Sequence, residues 1–152
     1  MIDEIEQRVL DDVAKFGWHL IQINADDHGP GFIYSIGMME TLRHPEIIMF
    51  GLAPRLMATV INGVGRQVRE GRNFAELGLF EDLLEGYACK FICVHERSHT
   101  EYLGYAMWHR RYVGKIGTLR ALQCLWPDKA GRFPDEDACD GEVVKRQPLL
   151  NR

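Results

Sequence analysis

Apolar residues recur every three to four positions in three stretches of the chain, as they do on one face of an α-helix. The first stretch covers residues 2 to 16, where acidic residues separate the apolar ones. The second begins at Pro54, which suits the first turn of a helix, and runs to about Glu70. The third follows a Ser-His-Thr-Glu capping box at residues 98 to 101 and ends near Tyr112. This pattern predicts three helices.

Two glycines, Gly63 and Gly65, interrupt the second predicted helix. Inside a helix each costs about 1 kcal/mol relative to alanine. Close packing against the sheet would explain why both are present, so we expect a close approach at this point of the helix.

Five further stretches are alternating or continuously apolar, which is typical of strands. They cover residues 18–24, 32–38, 46–52, 87–94 and 118–126. The first two flank the turn-forming segment Asp26 to Gly31, which predicts an antiparallel pair. The third is almost entirely apolar, which favours a central strand that is covered on both faces.

Short connections between the first strands predict a mainly antiparallel sheet, so we expect an α+β fold with about five strands and three helices. Residues 72 to 85 are predicted to be a link with one short helix around Phe80 to Leu84. We expect residues 1–135 to form a single globular domain and residues 136–152 to be a polar C-terminal tail. The opening elements also resemble those of flavin-binding split barrels, which leaves a small split-barrel-like arrangement as an architectural analogy.

Composition and charge exclude several classes of protein. The 152 residues are 46% hydrophobic and 26% charged, which is ordinary for a soluble globular domain. The formal net charge of −4 argues against nucleic acid as an electrostatic partner. No apolar run approaches the roughly 18 residues that a spanning helix needs, so we expect no membrane partner.

The N-terminal segment and the cysteines indicate the compartment. Residues 1 to 6 are acidic and lack the basic and apolar regions of a secretory signal, so we expect a cytoplasmic protein. In that compartment the cysteines are expected to be free thiols, three of them on strands. The four cysteines are Cys89, Cys93, Cys124 and Cys139.

Several short motifs are spread along most of the chain. They are Gly17-Trp18, Gly29-Pro30, Phe32 to Gly37, His44-Pro45-Glu46, Phe50-Gly51-Leu52, Gln123, Trp126-Pro127-Asp128 and Gly131 to Pro134. Together they resemble the bacterial domain-of-unknown-function family 4262, over roughly residues 15 to 135. The resemblance implies a small, soluble bacterial domain, and it brings no activity with it.

The first candidates for chemistry lie at the ends of the predicted strands. They are Tyr34, His44, Glu46 and Asp27, the last of these in the loop over residues 26 to 31. If these strand ends converge, the side chains supply carboxylates and an imidazole for acid–base catalysis. The alternative is structural, with Asp27 in an Asx turn and His44 bonded to a backbone carbonyl.

A second group has the spacing of a zinc site. Cys93, His95 and His99 form a C-x-H-x₃-H pattern, but the sequence offers no clear fourth ligand and no CxxC pair. The alternative is that both histidines lie in water at the ends of their elements. We therefore predict no metal and keep these three residues as the candidates to check.

The third predicted helix carries the remaining candidates. Tyr105 and His109 lie on its inner, apolar stripe, which favours either a hydrogen-bonded core histidine or a His–Tyr pair that lines a ligand pocket. Arg110 and Arg111 belong to a basic stretch over residues 97 to 120, which favours a site for an anion such as a phosphate. The alternative for these arginines is a solvated basic face.

Two classes of function are open at this point. The first is a domain that binds a small molecule, anionic or cofactor-like, or an enzyme with a His/Tyr/Asp pocket between the sheet and the helix over residues 99 to 113. The second is a non-enzymatic protein-interaction or immunity-type module, indicated by the segregated charge and by Trp108, which points away from the inner stripe. The sequence identifies no cofactor, and it leaves open whether the chain forms a homo-oligomer.

Overall fold

The centre of the protein is one six-stranded sheet, seen in a computed structural model that describes residues 1–115 and 117–152. The strands are β1 (His19–Ile23), β2 (Phe32–Ile36), β3 (Glu46–Phe50), β4 (Gly78–Leu84), β5 (Tyr87–Cys93) and β6 (Ala121–Leu125). They lie in the order β1-β2-β3-β6-β5-β4, so β1 and β4 form the two edges. The sheet is open, and the analogy with a small split barrel is therefore wrong.

The sheet is mixed rather than purely antiparallel. Four of its strand pairs are antiparallel, as expected, but β3 and β6 run parallel, with Glu46 opposite Ala121 and Ile48 opposite Gln123. Parallel neighbours need a long connection. Here the connection includes a helix, the β4–β5 hairpin and two further short helices. The fold is α+β, with six strands where the sequence predicts about five.

Within the described residues, six α-helices pack around the sheet, where the sequence predicts three. They are α1 (Glu4–Phe16), α2 (Met38–Leu42), α3 (Pro54–Arg69), α4 (His99–Tyr102), α5 (Gly104–Tyr112) and α6 (Gly141–Arg146). The predicted third helix is divided into α4 and α5 at Leu103. Among the described residues, none of these helices is long and apolar enough to cross a membrane.

The predicted capping box at residues 98 to 101 does not form. Ser98 has helical rather than extended backbone angles, and its side chain makes no capping hydrogen bond. A 3₁₀ turn over Glu96–Ser98 leads directly into α4, so Ser98 lies within a continuous turn and not at a free helix start. A capping box does form at the start of α1, between Asp3 and Glu6.

The short helix predicted around Phe80 to Leu84 is wrong, because these residues belong to strand β4. The ring of Phe80 packs against Phe74 and Phe91, with centroid distances of 4.7 and 5.5 Å. Burial of this aromatic cluster favours the extended conformation, so tertiary packing overrides the weak local pattern.

Helices cover both faces of the sheet. On one face α3 packs over the buried side chains of Ile33, Ile47 and Met49. On the other face α1 and α5 pack over a second cluster that includes Tyr34 and Ile48. Successive residues of β2 and β3 thus alternate between two buried layers, which explains why β3 is apolar from Ile47 to Phe50.

The two glycines of α3 differ in their surroundings. A Cβ atom at Gly65 would lie 2.5 Å from the ring of Trp18, the residue before β1, whereas a Cβ at Gly63 would approach only the flexible end of Arg66. The expected close packing is therefore present at Gly65, against Trp18, and absent at Gly63.

Alanine at these two positions is expected to have opposite effects. Gly65→Ala should lower the free energy of unfolding by about 1 to 3 kcal/mol, because the new methyl group overlaps the indole. Gly63→Ala should raise it by up to about 1 kcal/mol, because alanine favours the helix. Urea denaturation of both variants measures the difference, and equal effects would contradict this account of Gly65.

The end of the chain packs against the sheet, although the sequence predicts a polar tail over residues 136–152. The side-chain amide of Gln147 accepts from the backbone N–H of Trp126 at 3.0 Å and donates to its carbonyl at 2.8 Å. The amide of Gln123 donates in turn to the carbonyl of Pro148 at 2.7 Å. Two buried glutamines thus fasten the C-terminal segment beside β6.

Three of the four cysteines lie on strands, as predicted. Cys89 and Cys124 are buried on neighbouring strands, and Cys93 is exposed at the end of β5. Cys139 lies in the C-terminal segment, where its thiol donates to the carbonyl of Arg132 at 3.4 Å.

Candidate functional site

A cleft opens on one face of the sheet, between β2 and β3 and the short helices α4 and α5. Its volume is about 440 Å³, and the loop before β2 and the C-terminal segment complete its rim. Five aromatic side chains line it: Phe32, Tyr34, Phe50, Tyr102 and Tyr105. We call it the aromatic cleft. It lies between the sheet and the predicted helix over residues 99 to 113, where the first functional hypothesis expects a pocket.

Three of these rings pack against one another. Phe32 and Phe50 are opposite each other on β2 and β3, and their ring centroids lie 4.9 Å apart. Tyr102 of α4 stands edge-on to both rings, at 5.5 and 5.3 Å. Edge-to-face contacts of this kind fix the orientation of aromatic rings. The apolar wall of the cleft is therefore preformed.

Tyr34 brings a polar group into this apolar wall. The residue is only 2% exposed, and its hydroxyl oxygen accepts from the backbone N–H of Tyr105 at 3.2 Å. Burial raises the pKa of Tyr34 to about 12, so the hydroxyl keeps its proton at neutral pH. Within the described part of the chain no acceptor takes that proton. The hydroxyl can therefore donate a hydrogen bond to a molecule in the cleft.

Charged side chains lie at the rim. Asp26 is exposed in the loop between β1 and β2, where its Oδ1 accepts from the backbone N–H of His28 at 2.8 Å. Glu101 is exposed on α4. Lys145 reaches the rim from α6, and its ammonium lies 3.5 Å from Glu142. The rim thus holds two carboxylates and one ammonium that already has a carboxylate neighbour.

Glu46 lies at the other end of β3, away from the aromatic cleft, and is 1% exposed. Its carboxylate accepts from the hydroxyl of Ser35 at 2.7 Å and from three backbone N–H groups at the start of α2, each at 3.1 Å. Burial raises the pKa of Glu46 to about 7, although the hydrogen bonds from Met39 and Ser35 oppose the rise. Glu46 therefore acts as a buried cap that joins α2 to the sheet.

His44 is also placed for a structural role. It is 3% exposed; its Nδ1 lies 2.9 Å from the carbonyl of Pro45, and its Nε2 accepts from the backbone N–H of Phe74 at 3.1 Å. Both ring nitrogens are used, which fixes the neutral form with the proton on Nδ1. Burial lowers the pKa of His44 and so also favours the neutral ring.

The structure therefore does not bring the first four candidates together. Tyr34 lines the aromatic cleft, whereas Asp27 is exposed in the neighbouring loop and does not line it. His44 and Glu46 lie at the opposite end of the strands. The four side chains do not converge, because Tyr34 lies opposite Ile48 whereas the Glu46 carboxylate is directed to Ser35 and the start of α2.

The candidates on the third predicted helix are also separated. Tyr105 lines the aromatic cleft at the start of α5. His109 lies in the last turn of α5 and is 2% exposed. Its Nδ1 lies 3.1 Å from Oε1 of Glu40. Arg110 forms an ion pair with the same carboxylate, whereas Arg111 is exposed. His109 and Arg110 thus belong to a buried charge cluster rather than to the cleft.

Glu40 is the centre of that cluster. Burial alone would raise the pKa of Glu40, but the neighbouring His109 and Arg110 outweigh this and lower it. The carboxylate is therefore ionised at neutral pH and balances the guanidinium of Arg110, which is 14% exposed. The pairing removes Arg110 from the residues that are free to bind an anion.

The zinc-like spacing does not produce a ligand cluster. Cys93 ends β5, and His95 lies beyond it, where its Nδ1 accepts from the backbone N–H of Arg97 at 3.1 Å. His99 is buried at the start of α4. Across residues 1–115 and 117–152, no three histidine, cysteine or acidic side chains come close enough to hold one metal ion.

Comparison with family models gives one match. The model described as "Domain of unknown function (DUF4262)" matches residues 12–140, which is most of the chain. The chain belongs to this family. Searches of curated proteins and of solved structures found no match.

In this DUF4262 domain the motifs that carry the family resemblance lie mostly in the interior. Ser35, His44 and Glu46 are buried and hydrogen-bonded within the protein. Trp126 donates its indole N–H to the carbonyl of Phe50 at 2.7 Å. These motifs position β2, β3 and β6, so they explain how the domain folds and say little about a ligand.

A second and larger cavity of the DUF4262 domain, about 540 Å³, lies on the other side of the C-terminal segment. Its walls are mainly apolar, with Trp126, Leu52 and Tyr87 among them. The buried carboxylate in its wall, Asp128, accepts backbone hydrogen bonds from Arg132 and from other residues of its own loop, which lower its pKa to about 2. The Asp128 carboxylate is thus already satisfied by donors within the protein. The Tyr34 hydroxyl of the aromatic cleft differs, because no described residue accepts its proton.

Sequence reasoning missed three of the five aromatic residues of the cleft. The pattern places Phe32 and Phe50 on predicted strands and Tyr102 on the third predicted helix, and it assigns none of them to a site. The alternation of β2 places Phe32 on the same face as Tyr34, which was a usable signal. The pairing of β2 with β3 that adds Phe50 had no local signal.

Proposed function

We propose that this DUF4262 domain binds a small molecule in the aromatic cleft. The observation that carries the proposal is the hydroxyl of Tyr34, a buried residue of the cleft wall, which accepts from the Tyr105 N–H and donates to no described residue. A buried donor without an acceptor is costly, and a ligand that supplies the acceptor removes that cost. The surrounding rings supply a preformed apolar surface for a planar or branched ligand.

The role proposed for Tyr34 is binding and orientation. Its oxygen is held by the Tyr105 N–H at 3.2 Å, so the direction of the remaining donor is constrained. A ligand oxygen or nitrogen that accepts from Tyr34 would lie close to Phe32, whose ring centroid is 6.3 Å from that of Tyr34. His44 and Glu46, two of the candidate acid–base groups, lie outside the cleft, and the function that we propose for it is binding.

The alternative, a protein-interaction module, has weaker support. Besides the segregated charge, it depends on Trp108, which is partly buried beside the core cluster of Tyr34 and Ala106. Its ring also contacts that of Tyr112, with centroids 5.3 Å apart. A partly covered tryptophan offers less surface to a partner than the hypothesis requires.

Binding of acetophenone and of ethylbenzene tests the proposal, because the two molecules share a ring and only the first carries an acceptor. In a ¹⁵N-labelled sample, acetophenone should shift the backbone amide signals of Tyr102 and Tyr105, and it should bind more tightly than ethylbenzene. Tyr34→Phe should weaken acetophenone binding by about 5- to 10-fold, the worth of one hydrogen bond. The same change should leave ethylbenzene binding unaltered.

Tyr112→Phe is the matched control, because Tyr112 is 51% exposed and lies at the far end of α5. It should bind both molecules as the unaltered protein does. If neither molecule shifts the amides around the cleft, or if Tyr34→Phe binds acetophenone as tightly as the parent, the proposed function is wrong.

A further inference from the structure

The aromatic cleft combines two features that neutral ligands do not need. It is lined by aromatic rings, of which Phe32, Tyr102 and Tyr105 are partly exposed, and two of the three charged side chains at its rim are carboxylates. We infer that its ligand is an organic cation, an alkylammonium ion that also carries an oxygen acceptor. This inference rests on the proposed function and adds the charge class of the ligand.

Aromatic faces attract cations through their negative quadrupole, and the attraction strengthens when water is excluded. Phe32, Tyr34, Phe50 and Tyr102 lie within one wall, with neighbouring centroids between 4.9 and 6.3 Å apart. Tyr105 adds a further ring beside them. An ammonium ion with methyl substituents matches such a wall, because its charge is diffuse and its surface is apolar.

The charged side chains at the rim also attract a cation. Asp26 uses only Oδ1 to accept from the His28 backbone, so its other oxygen faces solvent at the rim. Glu101 adds a second exposed carboxylate. The one rim ammonium, on Lys145, lies 3.5 Å from Glu142, and both side chains are more than 70% exposed. The excess of negative charge favours entry of a cation.

The Tyr34 hydroxyl specifies the second part of the ligand. It is a donor at neutral pH, since burial holds its pKa at about 12. A cation that also carries a hydroxyl or carbonyl oxygen can accept this hydrogen bond while its ammonium lies against the rings. The alcohol and ester of a trimethylammonium ion are the simplest examples of this chemistry.

The basic residues that favoured an anionic ligand do not oppose this inference. Arg110 is paired with Glu40 at the far end of α5, and Arg111 is exposed there. Neither residue lines the aromatic cleft. The anionic ligand expected from the charge of the sequence therefore has no support at this site.

Choline and 3,3-dimethylbutan-1-ol provide a direct test, because they have the same shape and the same hydroxyl and differ in charge. Isothermal titration calorimetry and amide-shift titration of the full chain measure both affinities. Choline should bind at least about tenfold more tightly, which is the scale of a desolvated cation–π contact. Asp26→Asn and Glu101→Gln should each weaken choline binding by about two- to fivefold and leave the alcohol unaffected.

Glu81→Gln serves as the control, since Glu81 is exposed on edge strand β4 and outside the cleft. It should bind choline as the parent does. Equal affinities for choline and the alcohol would overturn the cation inference and leave the proposed function standing. Binding of acetophenone without binding of choline would do the same, whereas failure of all three probes would overturn both.

Discussion

Replacing Glu46 with glutamine should destabilise the domain by about 3 to 5 kcal/mol, the scale of two buried donors that are left without acceptors. The carboxylate is 1% exposed and accepts four hydrogen bonds, one from Ser35 and three from the backbone at the start of α2. Glutamine keeps one acceptor oxygen and turns an NH₂ group toward donors. Two of the four hydrogen bonds are therefore lost, and donors face each other.

The destabilisation should extend beyond Glu46 to the residues that share its hydrogen-bond network. The hydroxyl of Ser35 also accepts from the backbone N–H of Ile47 at 2.9 Å, so the two strands and α2 share one network. Gly37, at the start of α2, has a φ of 107° and its N–H points at Oε2 of Glu46. That backbone is disfavoured for other residues, and the carboxylate holds it in place.

The pH dependence of stability gives a second signature of Glu46. Its pKa is about 7 in the folded protein against 4.5 ordinarily, so between these values the folded state binds more protons than the unfolded state. The contribution of this proton to stability is fully present below pH 4.5 and is lost as the pH rises to about 7. Glu46→Gln removes this titration, so the destabilisation caused by the substitution should be larger at pH 5 than at pH 8.

Urea denaturation at several pH values measures both effects, and Glu81→Gln is the control for an exposed glutamate. The control should change the free energy of unfolding by less than about 0.5 kcal/mol. A Glu46→Gln protein as stable as the parent at all pH values would show that the four hydrogen bonds contribute nothing net.

Elements with a local signal were predicted well, and this has a physical reason. The stripe of α3 and the continuous apolar run of β3 each reflect which faces are buried, and burial leaves its period in the sequence. The same holds for β1 and β2, whose turn residues mark the hairpin. In these cases the neighbours in sequence are also the neighbours that decide the conformation.

Contacts between distant parts of the chain could not be predicted in this way. Arg110 and Glu40 are 70 residues apart, and the pattern around Arg110 indicates an anion site or a solvated basic face but not this partner. Strand β4 was mistaken for a helix because its decisive partners, Phe74 and Phe91, lie on other elements. The aromatic cleft is similar, since Tyr34 and Tyr105 are candidates from their own elements but Phe50 joins them only through strand pairing.

The C-terminal segment is the clearest case of a long-range contact that a polar composition concealed. Its residues read as solvated because they are charged or amidic, yet Gln147 is 1% exposed and Leu150 is 3% exposed. Glutamine is usually a surface residue. Here the side-chain amide of Gln147 takes the place of a neighbouring strand. It accepts a hydrogen bond from the Trp126 N–H and donates one to the Trp126 carbonyl.

Gln147→Leu should therefore lower the free energy of unfolding by about 2 to 4 kcal/mol. Leucine fills a similar volume but leaves the N–H and the carbonyl of Trp126 buried without partners, and each costs about 1 to 2 kcal/mol. Release of the segment should also free the backbone around Pro148, which the amide of Gln123 holds at 2.7 Å. Hydrogen exchange should then accelerate at the Trp126 and Leu150 amides.

Gln22→Leu is the matched control, because Gln22 is an exposed glutamine on edge strand β1 whose amide donates to Asn24 at 3.0 Å. It should alter stability by less than about 0.5 kcal/mol. If Gln147→Leu is equally mild and the Trp126 amide stays protected, the segment is held by apolar contacts of Leu150 instead.

The aromatic cleft gives an independent readout, since Lys145 and Pro148 form part of its wall. A segment released by Gln147→Leu should weaken ligand binding there as well, because that side of the cleft would open to water.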